Sequence, residues 1–287
     1  MSVRRAAVLL AAAAVGASTA VAATATATFP QTVEVDLVFP RNETYAPSAV
    51  FPIVFAFQNA PFAPPLDPTF VMDLWQGHDH NTTIYLNDIS LGGTNFSAAT
   101  SDAPLYVYTF ATNLNTTNNG ADAATQYNFV WSFGAGNCSV IDGVTTLGGG
   151  FIDANIVFTI ARDGGAAPDI APGNDTNSSS GSTCGLSHLA FNLTGTLPVP
   201  DPTKYDGHDT CAVFSDTTPT PVANPCAATA DAAAASSIAA AMTSRACAVQ
   251  SPLISCPAKN AGAAASGSMT IYVWTGCLAL LCALVLE

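Results

Sequence analysis

Basic side chains are scarce in this 287-residue sequence: seven Lys and Arg stand against 20 Asp and Glu, and only 9% of residues are charged. Residues 28–260 hold five basic and 19 acidic residues, a net charge of −14. A chain so poor in cations cannot neutralise phosphates, which excludes nucleic acid and anionic lipid head groups as partners. Glutamate is rare as well, with only Glu34 and Glu43 before Glu287. A glycosidase needs two carboxylates about 5–10 Å apart, and Glu34 and Asp36 share one strand face at a plausible separation. That face is expected to be the solvent face of its strand. No G-x-S-x-G elbow is present. The near miss "GSTCG" at 181–185 has Thr183 in place of the serine, and Cys184 is expected in a cystine. No CxxC pair occurs, which argues against a zinc ribbon or a thioredoxin-type site. A copper-dependent polysaccharide oxidase would need a histidine as mature residue 1, but no histidine precedes His78.

Both ends read as processing signals. Arg4 and Arg5 precede an apolar run from Ala6 to Gly16, and small-residue triplets such as Ala20-Val21-Ala22 follow. Residues 1–27 are therefore expected to be a secretory signal peptide. At the other end, Met269 to Leu286 is almost wholly apolar, with no Lys or Arg after Lys259. A stop-transfer helix normally carries such cations on its cytoplasmic side. Small residues at Asn260-Ala261-Gly262, a spacer and an apolar tail make a GPI-attachment signal with Asn260 as the attachment residue. A single membrane span is the alternative for 258–287.

A secreted chain with an even cysteine count implies a disulfide framework. Six cysteines lie between the two ends: Cys138, Cys184, Cys211, Cys226, Cys247 and Cys256. The expected pairs are Cys138–Cys184 and, at the C-terminal side, Cys211–Cys226 with Cys247–Cys256. The crossed set Cys211–Cys247 with Cys226–Cys256 is the alternative. N-x-S/T sequons fall at Asn42, Asn81, Asn95, Asn115, Asn137, Asn174, Asn177 and Asn192. Glycosylated sites must lie on the surface, so the sequons predict solvent faces.

From Thr32 to about Thr196 the hydropathy alternates with period two, the strand signature. "TVEVDLVF" sets Val33, Val35, Leu37 and Phe39 on one face, and "QYNFVWSFG" does the same with Tyr127, Phe129, Trp131 and Phe133. "VFPIVFAFQ", "TFVMDLW", "TTIYLNDISL", "LYVYTFAT", "GFIDANIVFTIAR" and "LSHLAFNLTG" complete the set. No amphipathic helix interrupts these strands, so a parallel α/β sheet is disfavoured. The expected fold is all-β, an antiparallel immunoglobulin-like β-sandwich of about eight strands over 29–200. A Cys-rich, Pro- and Ala-rich segment follows over 201–257. Within it, "ATADAAAASSIAAAMTSRACA" reads as a helix, capped by Thr229 or Asp231 and carrying Arg245 near its C-terminus. Such a helix would hold Cys226 and Cys247 roughly 24 Å apart, too far for a cystine.

The segments "TVEVDLVFPRNETYAPSAVFPIVFAFQN", "AAAASSIAAAMTS" and "ISCP" resemble a family of uncharacterised secreted proteins of filamentous fungi that carry a domain of unknown function. The resemblance covers residues 29 to about 257 and rests on strand, turn and cysteine positions. It implies a secreted ectodomain, often with a GPI-type tail, and brings no catalytic residue with it.

One stretch could hold chemistry. "DLWQGHDHNTT" places His78 and His80 as His-x-His, a spacing that opens many strand-borne metal sites. A cupin-like site would want a carboxylate about four residues on, where Ile84 and Tyr85 stand. His188 and His208 are the other histidines; the first shares a strand face with the Asn192 sequon and the second lies in a turn beside Cys211. The stretch is dense in turn formers, so a polar, glycosylated turn is the expectation, with no metal and no cofactor. The sequence thus points to a secreted, glycosylated cell-surface protein, GPI-anchored to membrane or wall, with a structural or binding role. Cell-wall glycan or a surface protein are the partners considered. The alternative is a secreted metal- or carbohydrate-active enzyme using His78, His80 and nearby Asp residues.

Overall fold

The computed structural model describes residues 28–77, 82–91, 94–96, 99–115, 123–171, 187–199, 209–214, 223–249, 252 and 254–256. The chain is mostly β, and its long strand pairs are antiparallel. In chain order the strands are β1 (Gln31–Phe39), β2 (Thr44–Tyr45), β3 (Ser48–Gln58), β4 (Thr69–Gln76), β5 (Thr83–Ser90), β6 (Leu105–Leu114), β7 (Ala124–Ile141), β8 (Val144–Ala161), β9 (His188–Pro198) and β10 (Thr210–Phe214). One helix follows, α1 (Ala232–Ala248). The strands make two five-stranded sheets, ordered β10-β9-β1-β3-β6 and β2-β8-β7-β4-β5. The two-residue β2 runs parallel to β8, opposite Thr159 and Ile160.

The alternation read from the sequence is what builds the core. On β1, Val33, Val35 and Phe39 are fully buried, and on β7 so are Phe129, Trp131 and Phe133. Rings of one sheet meet rings of the other: Phe55 of β3 stacks on Phe70 of β4 at 4.2 Å between centroids, and Phe51 of β3 on Phe158 of β8 at 4.9 Å. Trp131 inserts edge-on to Phe55, and its indole N–H donates to Ser187 Oγ at 3.0 Å. Large rings in such offset and edge-to-face contacts bury much apolar area and add packing energy beyond it.

β3 is buried along nearly its whole length, not on alternate residues only. The cause is α1, which packs on β3 and β6 from the other side and buries Ala235, Ile238, Met242 and Ala246. The helix begins where Asp231 Oδ1 accepts from the Ala234 N–H at 2.7 Å, the capping bond expected of an Asp at that position. Arg245, near its end, donates to the Tyr108 carbonyl at 3.0 Å and lies over the Tyr108 ring.

Two disulfides are defined between described residues. Cys247–Cys256 forms as expected, with its Cα atoms 5.7 Å apart. Cys138 pairs with Cys211, not with Cys184, and so Cys211 does not pair with Cys226. The reason is topological: β10 packs against β7 beside Val199, Leu197 and Val213, bringing Cys211 to 5.9 Å from Cys138 between Cα atoms. Cys226 is also disulfide-bonded.

β7 and β8 pair in register over 18 residues each, from Ala124↔Ala161 to Ile141↔Val144. The turn is Asp142-Gly143, with φ of 50° and 77°, the left-handed pair that a two-residue hairpin turn requires. β4 pairs with β7 only as far as Gly134, so the hairpin continues beyond the sheet as a two-stranded arm.

Candidate functional site

The chemistry-bearing pair brought together by the fold is Glu34 with Asp36. Both sit on β1, on the face turned away from the aromatic core. The sequence predicts a solvent face there, and the structure overturns this: each residue is only 3% exposed. The cover comes from residues far along the chain, where the segment leading into α1 crosses the strand. The Asn224 N–H donates to Glu34 Oε2 at 2.6 Å. Gln58, register partner of Glu34 on β3, donates through Nε2 to Asp36 Oδ2 and to the Asn224 carbonyl, both at 2.9 Å. The remaining oxygens, Glu34 Oε1 and Asp36 Oδ1, are buried without a hydrogen-bond partner.

Burial pushes the Asp36 carboxyl up to about 8 from 3.8, against the lowering effect of the Gln58 hydrogen bond. The Glu34 charge raises it further. Two acids so close in a desolvated site cannot both ionise cheaply, so Asp36 keeps its proton at neutral pH. Both acids are engaged with the protein's own backbone and amides. The arrangement can hold a proton and a chain segment; it presents no carboxyl to an outside substrate.

The histidines are not drawn into this pair. His78, His80 and His208 lie outside the described residues. His188 is the register partner of Asp36 on β9, but it is exposed and no hydrogen bond or ion pair joins the two. Among the described residues no group of three or more His, Cys, Asp or Glu is placed to hold a metal. A cavity of about 320 Å³ lies between α1 and the 168–171 loop, walled by Pro52, Ile170, Ala235 and Ala239 with Asp169 and Ser236 as its polar groups. Asp169 is already committed: Oδ1 accepts from the Ala171 N–H and its carbonyl accepts from Arg41.

The sequons divide by environment. Asn42, Asn95 and Asn115 are exposed, Asn137 is half-buried, and Asn192 is buried with 4% exposure. Asn192 therefore does not mark a solvent face. Asn81, Asn174, Asn177, Cys184 and Asn260 lie outside the described residues, as does the apolar tail. Among the described residues no helix is long and apolar enough to cross a membrane.

Sequence reasoning missed the burial of Glu34 and Asp36 because its cause lies 190 residues away along the chain. It also passed over the hairpin turn, whose Asp142-Gly143 between Val140-Ile141 and Val144 is a readable signal.

The described residues thus form a mostly β chain with a closed carboxylate pair and a cystine-tied C-terminal helix. A family profile, a domain of unknown function (DUF7136), matches residues 28–256, and the chain belongs to that family. No curated protein and no solved structure matches it.

Proposed function

We propose that this protein is a secreted, glycosylated fungal cell-surface protein, held at membrane or wall through a GPI anchor, with a structural or binding role and no enzymatic one. The two sheets are read as the layers of an immunoglobulin-like β-sandwich, on the strength of the ring contacts that cross between them. One observation carries the functional reading: Glu34 and Asp36, the carboxyl pair the sequence offers for hydrolysis, are spent on Asn224 and Gln58 inside the protein. The exposed sequons at Asn42, Asn95 and Asn115 and the cystines suit an extracellular setting. Wall glycan or a surface protein is the partner that this setting offers.

The test is a glycan array probed with the purified protein, with and without chelator, alongside a hydrolysis assay on the glycans that bind. The expected result is binding unaffected by chelator and no cleavage. Cleavage, or binding lost both with chelator and in a His78→Ala/His80→Ala variant, would establish the enzymatic alternative.

A further inference from the structure

Of the seven exposed large apolar side chains of the described residues, six cluster; the seventh, Val249, ends α1. Val140, Ile141, Val144, Leu147, Phe151 and Ile152 all lie on the arm formed by β7 and β8, and Val144 and Phe151 are 62% and 59% exposed. They flank a run of three glycines, Gly148-Gly149-Gly150. The arm has a second unusual feature. β8 pairs with β7 on one side, but on its other side only Thr159 and Ile160 have a strand partner, the short β2. From Val144 to Val157 its outer edge is unpaired among the described residues. Every second residue there turns its N–H and C=O outward, a ready template for another strand. Natural edge strands are guarded by Lys, Pro or a bulge; this run has no Lys and no Pro, and its register with β7 is unbroken. Cys138–Cys211 ties the base of the arm to β10, and the part beyond it is a two-stranded ribbon, which is marginally stable alone in water.

We propose that this edge pairs with the same edge of a second copy of the chain, antiparallel, about a two-fold axis at Gly149. The sequence is self-complementary about that residue. Leu147 of one copy falls opposite Phe151 of the other, and Thr146 opposite Ile152. Asp153, the one charge from Val144 to Val157, falls opposite Thr145, so two copies that are both strongly acidic meet without a like-charge pair. The glycines at the axis leave room for close backbone approach. Leu147 and Phe151 lie on one face, because both are odd-numbered residues of one strand. A strand crossing a two-fold makes an isologous, closed interface, which ends at a dimer and does not propagate into fibres. Val144, Leu147, Phe151 and Ile152, the exposed apolar side chains of β8 itself, flank this edge, and main-chain hydrogen bonds along it supply the rest of the contact.

Sedimentation velocity of the purified full chain, and of a Leu147→Lys/Phe151→Lys variant, tests the association. Phe151 and Leu147 are partly exposed, and an unfolding midpoint within a few degrees of wild type shows that the variant keeps the fold. The expected result is a concentration-dependent dimer whose dissociation constant rises at least about tenfold in the variant, since each copy then brings buried charge to the interface. A Leu147→Cys/Phe151→Cys variant tests the register. Opposite residues of an antiparallel pair have Cα atoms about 4.5–5.5 Å apart, within disulfide reach. Within one copy the two positions are roughly 13 Å apart, so they cannot close on each other. Mild oxidation is expected to give a covalent dimer that reductant dissolves. A chain that remains monomeric up to about 100 µM, the weak end for a specific interface, overturns the proposal. So does a dimer untouched by the lysines, or a double-cysteine chain that stays single on oxidation.

Discussion

Asn42 and Asn192 carry the same three-residue glycosylation signal and end in opposite environments. Asn42 stands exposed in the turn between β1 and β2, while Asn192 lies 4% exposed opposite Thr32 in the β1–β9 pairing. A glycan needs open solvent around its asparagine, so local sequence alone cannot separate the two. Glycopeptide mapping of secreted protein is expected to find Asn42, Asn95 and Asn115 available for occupancy and Asn192 empty. A glycan on Asn192 would mean that β9 is not seated as described. Trp131 illustrates the opposite case, a residue whose role the sequence predicts well. Alternation places it inward, and it is fully buried against Phe55 and Phe70. Trp131→Ala is expected to cost about 3–5 kcal/mol, through lost transfer energy and the cavity left behind. Denaturant unfolding at constant slope measures it.

At the scale of elements, the eight long strands were legible because a side-chain period of two runs through their sequences, and on β7 it marks the buried face directly. α1 was legible for a different reason: a run of Ala, an acidic cap and Ile238 and Met242 four residues apart. Asp231→Ala removes the acceptor for the Ala234 N–H and is expected to cost about 1 kcal/mol, read as a shift in the unfolding midpoint. What could not be read were features set by how distant elements meet. β10 is five residues long and too short for periodicity to declare. The pairing of Cys138 with Cys211 follows from β10 lying against β7, so chain proximity was a poor guide to partners. A Cys138→Ser/Cys211→Ser variant opens a loop spanning 73 residues. The chain-entropy model gives about 4 kcal/mol for such a closure. Non-reducing peptide mapping is expected to recover the Cys138–Cys211 peptide directly; a Cys138–Cys184 peptide in its place would contradict the described sheet order.

For the whole molecule, the closed carboxylate pair matters more than any single element. Glu34 lies in the first strand and Asn224 just ahead of the helix, so their hydrogen bond joins the beginning of the fold to its end. Residues 223–249 are thereby part of the same body as the sheets, in keeping with a family match that runs unbroken over 28–256. This closure has a cost that depends on pH. The unfolded chain releases the Asp36 proton near 3.8, whereas the folded protein keeps it to about 8. Between those values the folded state binds more protons, so its stability falls as pH rises through that window and levels off above it. The central claim, that Glu34 and Asp36 form an internal lock and not an outward-facing catalytic pair, is tested most directly by thermal unfolding from pH 4 to pH 8. Wild type and Asp36→Asn are compared, since an amide cannot titrate and can still donate to Glu34. The expected result is a single transition whose midpoint falls toward pH 8 in the wild type. The variant should fall less and lead by several degrees at the alkaline end, at about 2–4 °C for each kcal/mol. A wild-type midpoint that rises with pH, with the variant the less stable of the two near pH 8, would show an ionised, solvated Asp36 and contradict the account.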